Sequence, residues 1–281
     1  MNSFFQIGDF CFRLVCPDRL RLPLNFMQFA VEGGEAEYRY TLRLAEQLPQ
    51  PQGALIAERA DMKVFSAGGL EGRLIGIRGG EFYACYQERS ETEAEIAYAG
   101  ATDRLEIDPI FSSLLALERR LLPRDGLILH CAYVRFRGKA LLFSAPSETG
   151  KTTQATLWEQ YRGAETVNGD RALLQPAEGQ WLARGWPVCG SSGVCRREDD
   201  PIGALVMLSQ GRENQVERLS PAKAFARLYS QITVNSWDAP SCKRAMDLIE
   251  MLTGSVPVFH LRCTIAEEAV QCLENAISDF F

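Results

Sequence analysis

The chain has 281 residues, enough for one large domain or two modest ones. Hydrophobic residues make up 46% of it and charged residues 23%, the usual balance for a globular protein with a substantial core. The net charge of −6 argues against a nucleic-acid partner, because nucleic-acid-binding domains normally carry a basic patch. Composition therefore favours a globular protein that does not act on nucleic acid.

The sequence shows neither a membrane span nor a targeting segment. An apolar run of about 18 residues is absent, and the first residues, MNSFFQIGDFCFRLVCPDRL, lack a basic stretch followed by an apolar one. The nine cysteines form no C-x-x-C pair, and there are only two histidines, so zinc binding is disfavoured. We predict a cytoplasmic protein without a membrane partner, whose thiols are reduced and mostly buried.

Residues 1–105 predict an antiparallel β-rich module. Five segments are rich in aromatic and β-branched residues and are separated by turns: FFQIGDFCFRLVC, AEYRYTLRLA, MKVFSAGG, LEGRLIGIRGG and EFYACYQE. A helix follows over residues 108–126, where Asp108 and Pro109 form a helix start and Pro123 and Gly126 a stop. We interpret this helix as the bridge into a second domain, residues 106–281.

The second domain predicts a mixture of strands and helices, and hence an α+β or α/β fold. LILHCAYVRF and KALLFSA read as two strands joined at Arg137-Gly138, a short hairpin connection. Further along, GALVMLSQ and VPVFHLRC predict strands. Helices are predicted in SPAKAFARLYSQI, capped by Ser220, in PSCKRAMDLIEMLTG, and in TIAEEAVQCLENAI, capped by Thr264.

The segment APSETGKT, residues 145–152, follows the second hairpin strand and precedes the helix KTTQATLWEQY. A strand, a tight loop and a helix in this order make a phosphate-binding loop, because loop N–H groups and the positive helix end attract anions. Lys151 would reach the terminal phosphates and the Thr152 hydroxyl would ligate Mg²⁺. Ala145 stands where the motif has its first glycine, so an ordinary strand–turn–helix junction is the alternative. We expect nucleotide phosphates to be bound by Ser147, Glu148, Thr149, Gly150, Lys151, Thr152 and Thr153.

Two further residues are candidates for phosphoryl transfer. ETVNGDRALL predicts a strand that ends in Asp170 close to the loop, which suits a Mg²⁺ ligand or a base for an acceptor hydroxyl. Asn-Gly-Asp is also a strong turn signal, so Asp170 has a purely structural interpretation as well. His130 either polarises a phosphate or is a hydrogen-bonded core histidine. His260 has no comparable context, and we interpret it as structural.

The stretch ILHCAYVRFRGKALLFSAPSETGKTT, together with GAETVNGDRALL, resembles the catalytic core of HPr kinase/phosphorylase and its kinase-like relatives. The resemblance covers about residues 125–270 and implies a phosphoenolpyruvate-carboxykinase-like P-loop domain with a mixed sheet. It also implies that Lys151, Thr152, His130 and Asp170 match the family's active-site positions. Thr153 stands where HPr kinases commonly have Glu, and NGDR replaces adjacent aspartates. The resemblance is therefore to the wider kinase-like group, not to HPr kinase itself.

RGWPVCGSSGVCRREDD, residues 184–200, predicts a loop that either clamps phosphate or acceptor or simply connects two strands. If it is functional, Arg196 or Arg197 is the expected cationic contact, whereas Glu198, Asp199 and Asp200 are expected to be solvated. The WPVCG part resembles an aromatic-Pro-x-x-Gly segment of the kinase-like group.

The function predicted from these features is a Mg²⁺- and ATP-dependent kinase acting on a Ser-type hydroxyl of a peptide, protein or small molecule. Catalysis is assigned to Asp170, His130 and Lys151, and metal binding to Thr152 and Asp170. A nucleotide-binding regulatory or scaffold protein without transfer activity is the main alternative. Carboxykinase-type chemistry and a coincidental motif are weaker ones. The donor nucleotide and homo-oligomer formation stay open.

Overall fold

The computed structural model describes the whole chain except the side chain of Ser191. The chain folds into two compact units, Met1–Leu117 and Glu118–Phe281, whereas the sequence pattern placed the boundary between residues 105 and 106. Among the described residues, no helix is both long enough and apolar enough to cross a membrane.

The first unit is built on a nine-stranded sheet with the order β3-β1-β2-β4-β9-β8-β7-β6-β5. Its strands are β1 (Asn2–Ile7), β2 (Phe10–Val15), β3 (Ala30–Val31), β4 (Tyr38–Leu44), β5 (Ala54–Arg59), β6 (Met62–Ala67), β7 (Leu70–Gly76), β8 (Phe82–Glu88) and β9 (Glu93–Tyr98). The predicted antiparallel module is wrong in one respect, because β4 runs parallel to both β2 and β9. Long segments of chain separate β2 from β4 and β4 from β9, as parallel pairing requires. Turn signals alone do not reveal such pairings.

The predicted helix over residues 108–126 is interrupted. The first unit contains the short helices α1 (Leu24–Met27) and α2 (Asp108–Ser113), and α3 (Leu117–Leu121) spans the boundary. Ala116, at the break between α2 and α3, has a positive φ of 46°, which a continuous right-handed helix does not allow. A 3₁₀ turn, Leu122–Arg124, contains the predicted stop at Pro123.

The second unit contains eight strands in a mixed sheet, which confirms the predicted mixture of directions. They are β10 (Leu127–Phe136), β11 (Lys139–Ser144), β12 (Glu165–Asn168), β13 (Arg171–Ala177), β14 (Gln180–Arg184), β15 (Asp199–Gln210), β16 (Gln215–Arg218) and β17 (Val258–Cys263). β15 is parallel to β11 and β17, and the other pairs are antiparallel. Strands β11, β10, β13, β14 and β15 close into a ring, because β15 pairs with both β14 and β11.

The predicted hairpin between β10 and β11 is confirmed. Phe136 pairs with Lys139, and the two residues between them, Arg137 and Gly138, have φ values of 49° and 76°. Two consecutive positive φ angles define the turn whose twist suits a two-residue hairpin. The hairpin places the end of β11, and so the start of the phosphate loop, beside Cys131 of β10.

Four helices cover the second unit's sheet: α4 (Lys151–Arg162), α5 (Pro221–Tyr229), α6 (Ala239–Ser255) and α7 (Glu267–Ile277). Leu129 and Tyr133 of β10 pack in a core with α5 and α6, whereas Ala132 and Val134 pack in a second core with α4 and α7. Successive side chains of a strand point to opposite faces of the sheet, so β10 contributes to the cores on both faces.

Ser220 occupies the predicted N-cap position of α5, whereas the predicted cap of α7 is wrong. The side chain of Ser220 precedes α5 without making a capping hydrogen bond, and α7 begins after Ala266. The Thr264 hydroxyl instead donates to Asn214 Oδ1. Taken together, the two mixed sheets and their helices give a mixed α/β architecture of the α+β kind.

Candidate functional site

The predicted phosphate loop connects the end of β11 at Ser144 to the start of α4 at Lys151. Glu148 has φ = 64° and Gly150 has φ = 112°, so the chain turns twice through left-handed backbone before the helix begins. Gly150 is the residue that caps α4. The φ of 112° lies outside the region that L-residues readily adopt, so the glycine at this position has a conformational reason.

Ala145 needs no such freedom. Its φ is not positive, and it is 1% exposed, with its methyl group in the core shared by α4 and β11. The departure from the motif's first glycine is therefore compatible with the observed loop. Ser147 and Glu148 are exposed, and Thr149 and Gly150 are partly exposed, so this part of the loop faces the surface.

Lys151 lies inside the loop that precedes it. Its side-chain ammonium Nζ donates to the carbonyl oxygens of Ala145 at 3.0 Å and Pro146 at 3.2 Å, and the residue is 7% exposed. Burial lowers the pKa of Lys151 below its usual range, against the opposing influence of Cys131 and Asp170. The first turn of α4 carries no acidic residue, so nothing there offsets the positive end of the helix. The arrangement suits an anion at the loop.

The hydroxyl-bearing residues after the lysine are placed differently from one another. Thr152 is exposed, and Thr153 is partly exposed on the next position of α4. An exposed threonine hydroxyl directly after the loop is available to a bound metal or phosphate. Both residues are therefore at the surface end of α4, where the sequence placed them.

Asp170 is held by the turn between β12 and β13. Asn168 is fully buried, and its Oδ1 accepts from the backbone N–H groups of Asp170 at 2.8 Å and Arg171 at 3.0 Å. Its Nδ2 donates to the carbonyl oxygens of Trp186 and Val188. The Asp170 carbonyl accepts from Cys131 N–H at 3.0 Å, which joins the turn to β10. Asp170 is therefore held by the hydrogen bonds of this turn. Its backbone is also bonded to β10, the neighbour of the strand β11 that leads into the phosphate loop.

The structure brings His130 and Asp170 together, with Lys151 close enough to influence both. His130 Nε2 lies 3.9 Å from Asp170 Oδ1, and both side chains are about one quarter exposed, at 24% and 23%. Burial lowers the pKa of His130, the charge of Lys151 lowers it further, and Asp170 opposes these effects. The lowered pKa favours the neutral imidazole at neutral pH. The three residues predicted to be catalytic occupy one site.

Arg171 also belongs to this site, and the sequence reasoning missed it. Its Nε lies 3.1 Å from Asp170 Oδ2, and its Nη1 donates to Thr233 Oγ1 at 3.0 Å. Thr233 follows α5, far away in sequence. The available signal was the position of Arg171 directly after Asp170, at the start of a strand that leaves the Asn-Gly-Asp turn.

The predicted clamp loop packs against the Asp170 turn through Asn168, whereas Arg196 is engaged elsewhere. Arg196 pairs with Glu165, whose strand partner is Arg135 at the hairpin end of β10. His130 lies toward the other end of that strand, so this pairing does not favour Arg196 as the cationic contact, and the expectation for Arg196 or Arg197 stays a prediction. Arg197 is exposed.

The three acidic residues that follow are not merely solvated. Glu198 and Asp200 both pair with Arg135, and Asp199 pairs with Arg184. Asp200 is 6% exposed and also accepts a hydrogen bond from Tyr133. This network holds the start of β15 against β10.

One protein-family model matches the part of the chain that contains this site. The family model described as SynChlorMet cassette protein ScmC matches residues 98–278. The chain belongs to the ScmC family. Within this ScmC-family chain the match begins at the last residue of β9 and contains the phosphate loop, His130 and the Asp170 turn.

One solved structure among those similar to this ScmC-family chain is the Hpr(Ser) kinase/phosphatase from Coxiella burnetii. It is 11% identical, the alignment covers 54% of this chain and 93% of that chain, and the TM-score is 0.33. The search of curated proteins gives no match. Kinase activity of the ScmC-family chain therefore stays a proposal, and it rests on the site itself.

Proposed function

We propose that the chain is an ATP-dependent kinase that transfers the γ-phosphate to a hydroxyl group of a peptide, protein or small molecule. The observation that carries this proposal is that the Asp170 carboxylate and the His130 imidazole lie next to each other and near the buried lysine of a strand–loop–helix junction. Phosphoryl transfer depends mostly on holding phosphates, neutralising charge and orienting the acceptor, and this site has a candidate for each task.

The phosphate chain would bind to N–H groups of the loop and of the first turn of α4. Lys151 now donates to two carbonyl oxygens of its own loop. A phosphate oxygen is a stronger partner for the ammonium than a carbonyl, because both partners are then charged. Bound phosphate would also raise the depressed pKa of Lys151 back toward its usual value, since the buried cation gains an anion.

The acceptor hydroxyl would approach from the side of Asp170. As its oxygen bonds to the γ-phosphorus, the bond from that phosphorus to the β,γ-bridging oxygen breaks and ADP leaves. Asp170 would take the hydroxyl proton, and the ring N–H of His130 would donate either to this carboxylate, which would hold it in place, or to a phosphate oxygen. Arg171 would add positive charge on the acceptor side. The proposal includes Arg171 because it contacts Asp170 directly.

The residues present fit Mg²⁺. Thr152 offers an exposed hydroxyl and Asp170 a partly exposed carboxylate, and both are hard oxygen ligands. Among the described residues there is no group of three or more His, Cys, Asp or Glu that could hold a metal. Mg²⁺ in nucleotide sites typically takes one or two protein ligands and completes its shell with phosphates and water. The ion would neutralise charge on the phosphate chain.

A nucleotide-binding regulatory protein without transfer activity is the second candidate. One observation favours it: Asp170 Oδ2 is 3.1 Å from the Arg171 guanidinium, so this carboxylate oxygen is already engaged in an ion pair. Binding would then be retained while transfer is absent.

The test combines binding and turnover in Lys151→Ala and Asp170→Asn variants. Mg·ATP should raise the unfolding temperature of the unchanged chain, by an amount equivalent to about 2.7 kcal/mol at a hundredfold excess over Kd. Lys151→Ala should abolish the shift. Asp170→Asn should keep most of the shift but lower phosphate release from ATP, with water as the acceptor, by about a hundredfold or more.

Lys223→Ala is the matched control, because Lys223 is an exposed lysine paired with Glu217 on the surface. It should match the unchanged chain in both measurements. An identical shift with Lys151→Ala would refute the phosphate loop. A shift in the unchanged chain with no phosphate release, and no transfer to any hydroxyl acceptor, would support the regulatory candidate instead.

A further inference from the structure

A pocket of about 570 Å³ lies beside the phosphate loop. We call it the strand-end pocket, because it opens where β15 and β17 end. Residues that line it include Gly150, Thr153, Gln154, Gln210, Cys263 and Ile265. Its volume is within the range of sites that hold small organic ligands. It is separate from the groups proposed to act on the acceptor, since neither His130 nor Asp170 lines it.

The sheet order places the pocket and the acceptor groups on opposite sides of the loop. β11, which leads into the loop, lies between β10 and β15, and β17 follows β15. His130 is on β10, whereas the pocket lies at the ends of β15 and β17. β11, β15 and β17 are parallel, so their carboxyl ends meet at one edge of the sheet, where ligands of such sheets bind. A molecule with its phosphates on the loop can extend into this pocket.

The pocket differs in charge from the acceptor side. Of the described residues that line it, only Glu148 is charged, and Glu148 belongs to the loop itself. The remaining wall consists of amide, hydroxyl, thiol and backbone groups, and the Ile265 side chain is 79% exposed. Lysine and arginine, which would select a second phosphate or an acidic peptide, are absent from these lining residues. The wall therefore suits a neutral, partly apolar group.

Gln154, which is among the lining residues, carries an unsatisfied acceptor. The residue is 2% exposed, and its Nε2 donates to Cys263 Sγ at 3.3 Å and to the Thr264 carbonyl at 3.4 Å. Its Oε1 is buried and, in the described part of the chain, has no hydrogen-bond partner. A buried acceptor without a partner costs free energy, so an incoming N–H or O–H group would be stabilised there.

The wall is already formed. Gly211 N–H donates to the Cys263 carbonyl at 3.0 Å, and Thr264 N–H donates to Asn214 Oδ1 at 2.8 Å. These bonds fix the ends of β15 and β17 relative to each other. Because little ordering remains to be done on binding, such a wall favours affinity for a rigid ligand.

We propose that the strand-end pocket binds the nucleoside of the phosphate donor, its base against Ile265 and Cys263 and a base or ribose N–H or O–H group on Gln154. The donor then lies across the loop, with its terminal phosphate toward Asp170. This inference rests on the proposed function, because it takes the loop to hold the donor's phosphates.

The test compares Mg·ATP with Mg·tripolyphosphate, which has the phosphate chain but no nucleoside, by isothermal titration. The full chain should bind Mg·ATP at least about tenfold more tightly, a modest share of what burying an aromatic base provides. Ile265→Ala and Gln154→Leu should each weaken Mg·ATP by about three- to tenfold and leave Mg·tripolyphosphate unchanged. Ile265 is highly exposed, so its replacement does not threaten folding.

Met251→Ala is the control, since Met251 is a 53% exposed apolar side chain on α6, outside the pocket lining. Equal affinities for the two ligands, with no effect of either variant, would overturn the nucleoside assignment and leave the phosphate loop intact. Absence of binding by both ligands would overturn the phosphate loop, and the nucleoside assignment with it.

Discussion

Ala145 departs from the phosphate-loop motif, and its backbone conformation explains why this departure is tolerated. The first position of a phosphate-binding loop is usually glycine, and Ala145 would be disqualifying if that position required a left-handed conformation. The structure places the left-handed residues at Glu148 and Gly150 instead. Ala145 contributes a buried methyl group, so at this position the side chain has a use and the glycine would have none.

The residue-scale prediction concerns Ala145→Gly and Gly150→Ala. Ala145→Gly should lower the free energy of unfolding by about 1 kcal/mol, because it removes a buried methyl and loosens the unfolded chain, and it should leave Mg·ATP binding unchanged. Gly150→Ala should cost about 1–3 kcal/mol and impair binding, because φ = 112° is strained for alanine.

The measurement is urea unfolding followed by tryptophan fluorescence. All four tryptophans lie in the second unit, so the signal reports the unit that contains the loop. The space around a Cβ at Gly150 is open, so any cost of Gly150→Ala is due to backbone conformation alone. Tighter Mg·ATP binding by Ala145→Gly would contradict the interpretation, since it would mean that alanine distorts the loop.

At the scale of elements, the sequence predicts those features that are determined by residues close together in the chain. The β10–β11 hairpin follows from two turn residues, and the loop-to-helix junction follows from a strand, a glycine and a helical pattern. The pairing of β4 with β9 and of Arg196 with Glu165 joins residues far apart in sequence, and no local pattern specifies either. The same limit explains why the strand-end pocket was not predicted: its walls come from α4, β15 and β17.

Asp170 is positioned by the turn between β12 and β13, which is hydrogen-bonded to the loop between β14 and β15. Asn168 joins the two through its bonds to Trp186 and Val188, and Gly169 allows a close approach. A Cβ at Gly169 would lie 2.2 Å from Ser192 Oγ. Sequence reasoning recognised Asn-Gly-Asp as a turn and the following segment as a loop, but their contact required the fold.

The element-scale prediction is that Gly169→Ala displaces this loop and, with it, Asp170. Phosphate release should fall by at least about tenfold, because misplacing a catalytic group by even an ångström is costly. Mg·ATP binding should change little, since the phosphate loop is a different element. The readouts are single-turnover phosphate release and thermal unfolding with Mg·ATP.

A double variant tests the physical reason. Ser192→Gly removes both atoms nearest to the added methyl, so Gly169→Ala with Ser192→Gly should recover activity toward that of Ser192→Gly alone. Gly254→Ala is the control, because it is a helical glycine with open space around it, and it should raise stability by about 1 kcal/mol. Unchanged phosphate release by Gly169→Ala would show that the loop does not position Asp170.

For the molecule as a whole, the two histidines couple stability to pH. Both lie in the second unit, and burial lowers the pKa of each below the ordinary value near 6.5. Lys151 and Arg171 also lower the pKa of His130, and Asp170 raises it. For His260, Arg227 and Arg262 lower the pKa, and Glu217 raises it. His260 Nε2 is 2.9 Å from Ser209 Oγ, which agrees with its interpretation as structural.

The sign of the pH dependence follows from these directions. On acidification the unfolded chain binds protons near pH 6.5, whereas folded His130 and His260 bind them only at lower pH. The unfolded state therefore holds more protons between 6.5 and the folded pKa values, and the free energy of unfolding falls as pH falls through this range. Each histidine contributes at most about 1.4 kcal/mol per pH unit.

We therefore predict that the second unit is less stable at about pH 5.5 than at about pH 7. This difference in the free energy of unfolding should be smaller in His130→Gln and in His260→Gln, and smallest in the double variant. The measurement is urea unfolding by tryptophan fluorescence at several pH values. The hydrogen bond from Lys223 lowers the pKa of Glu217, so protonation of Glu217 begins only below about its ordinary value of 4.5 and does not confound this range. A double variant as pH-sensitive as the unchanged chain would contradict the assignment, because the protons would then bind elsewhere.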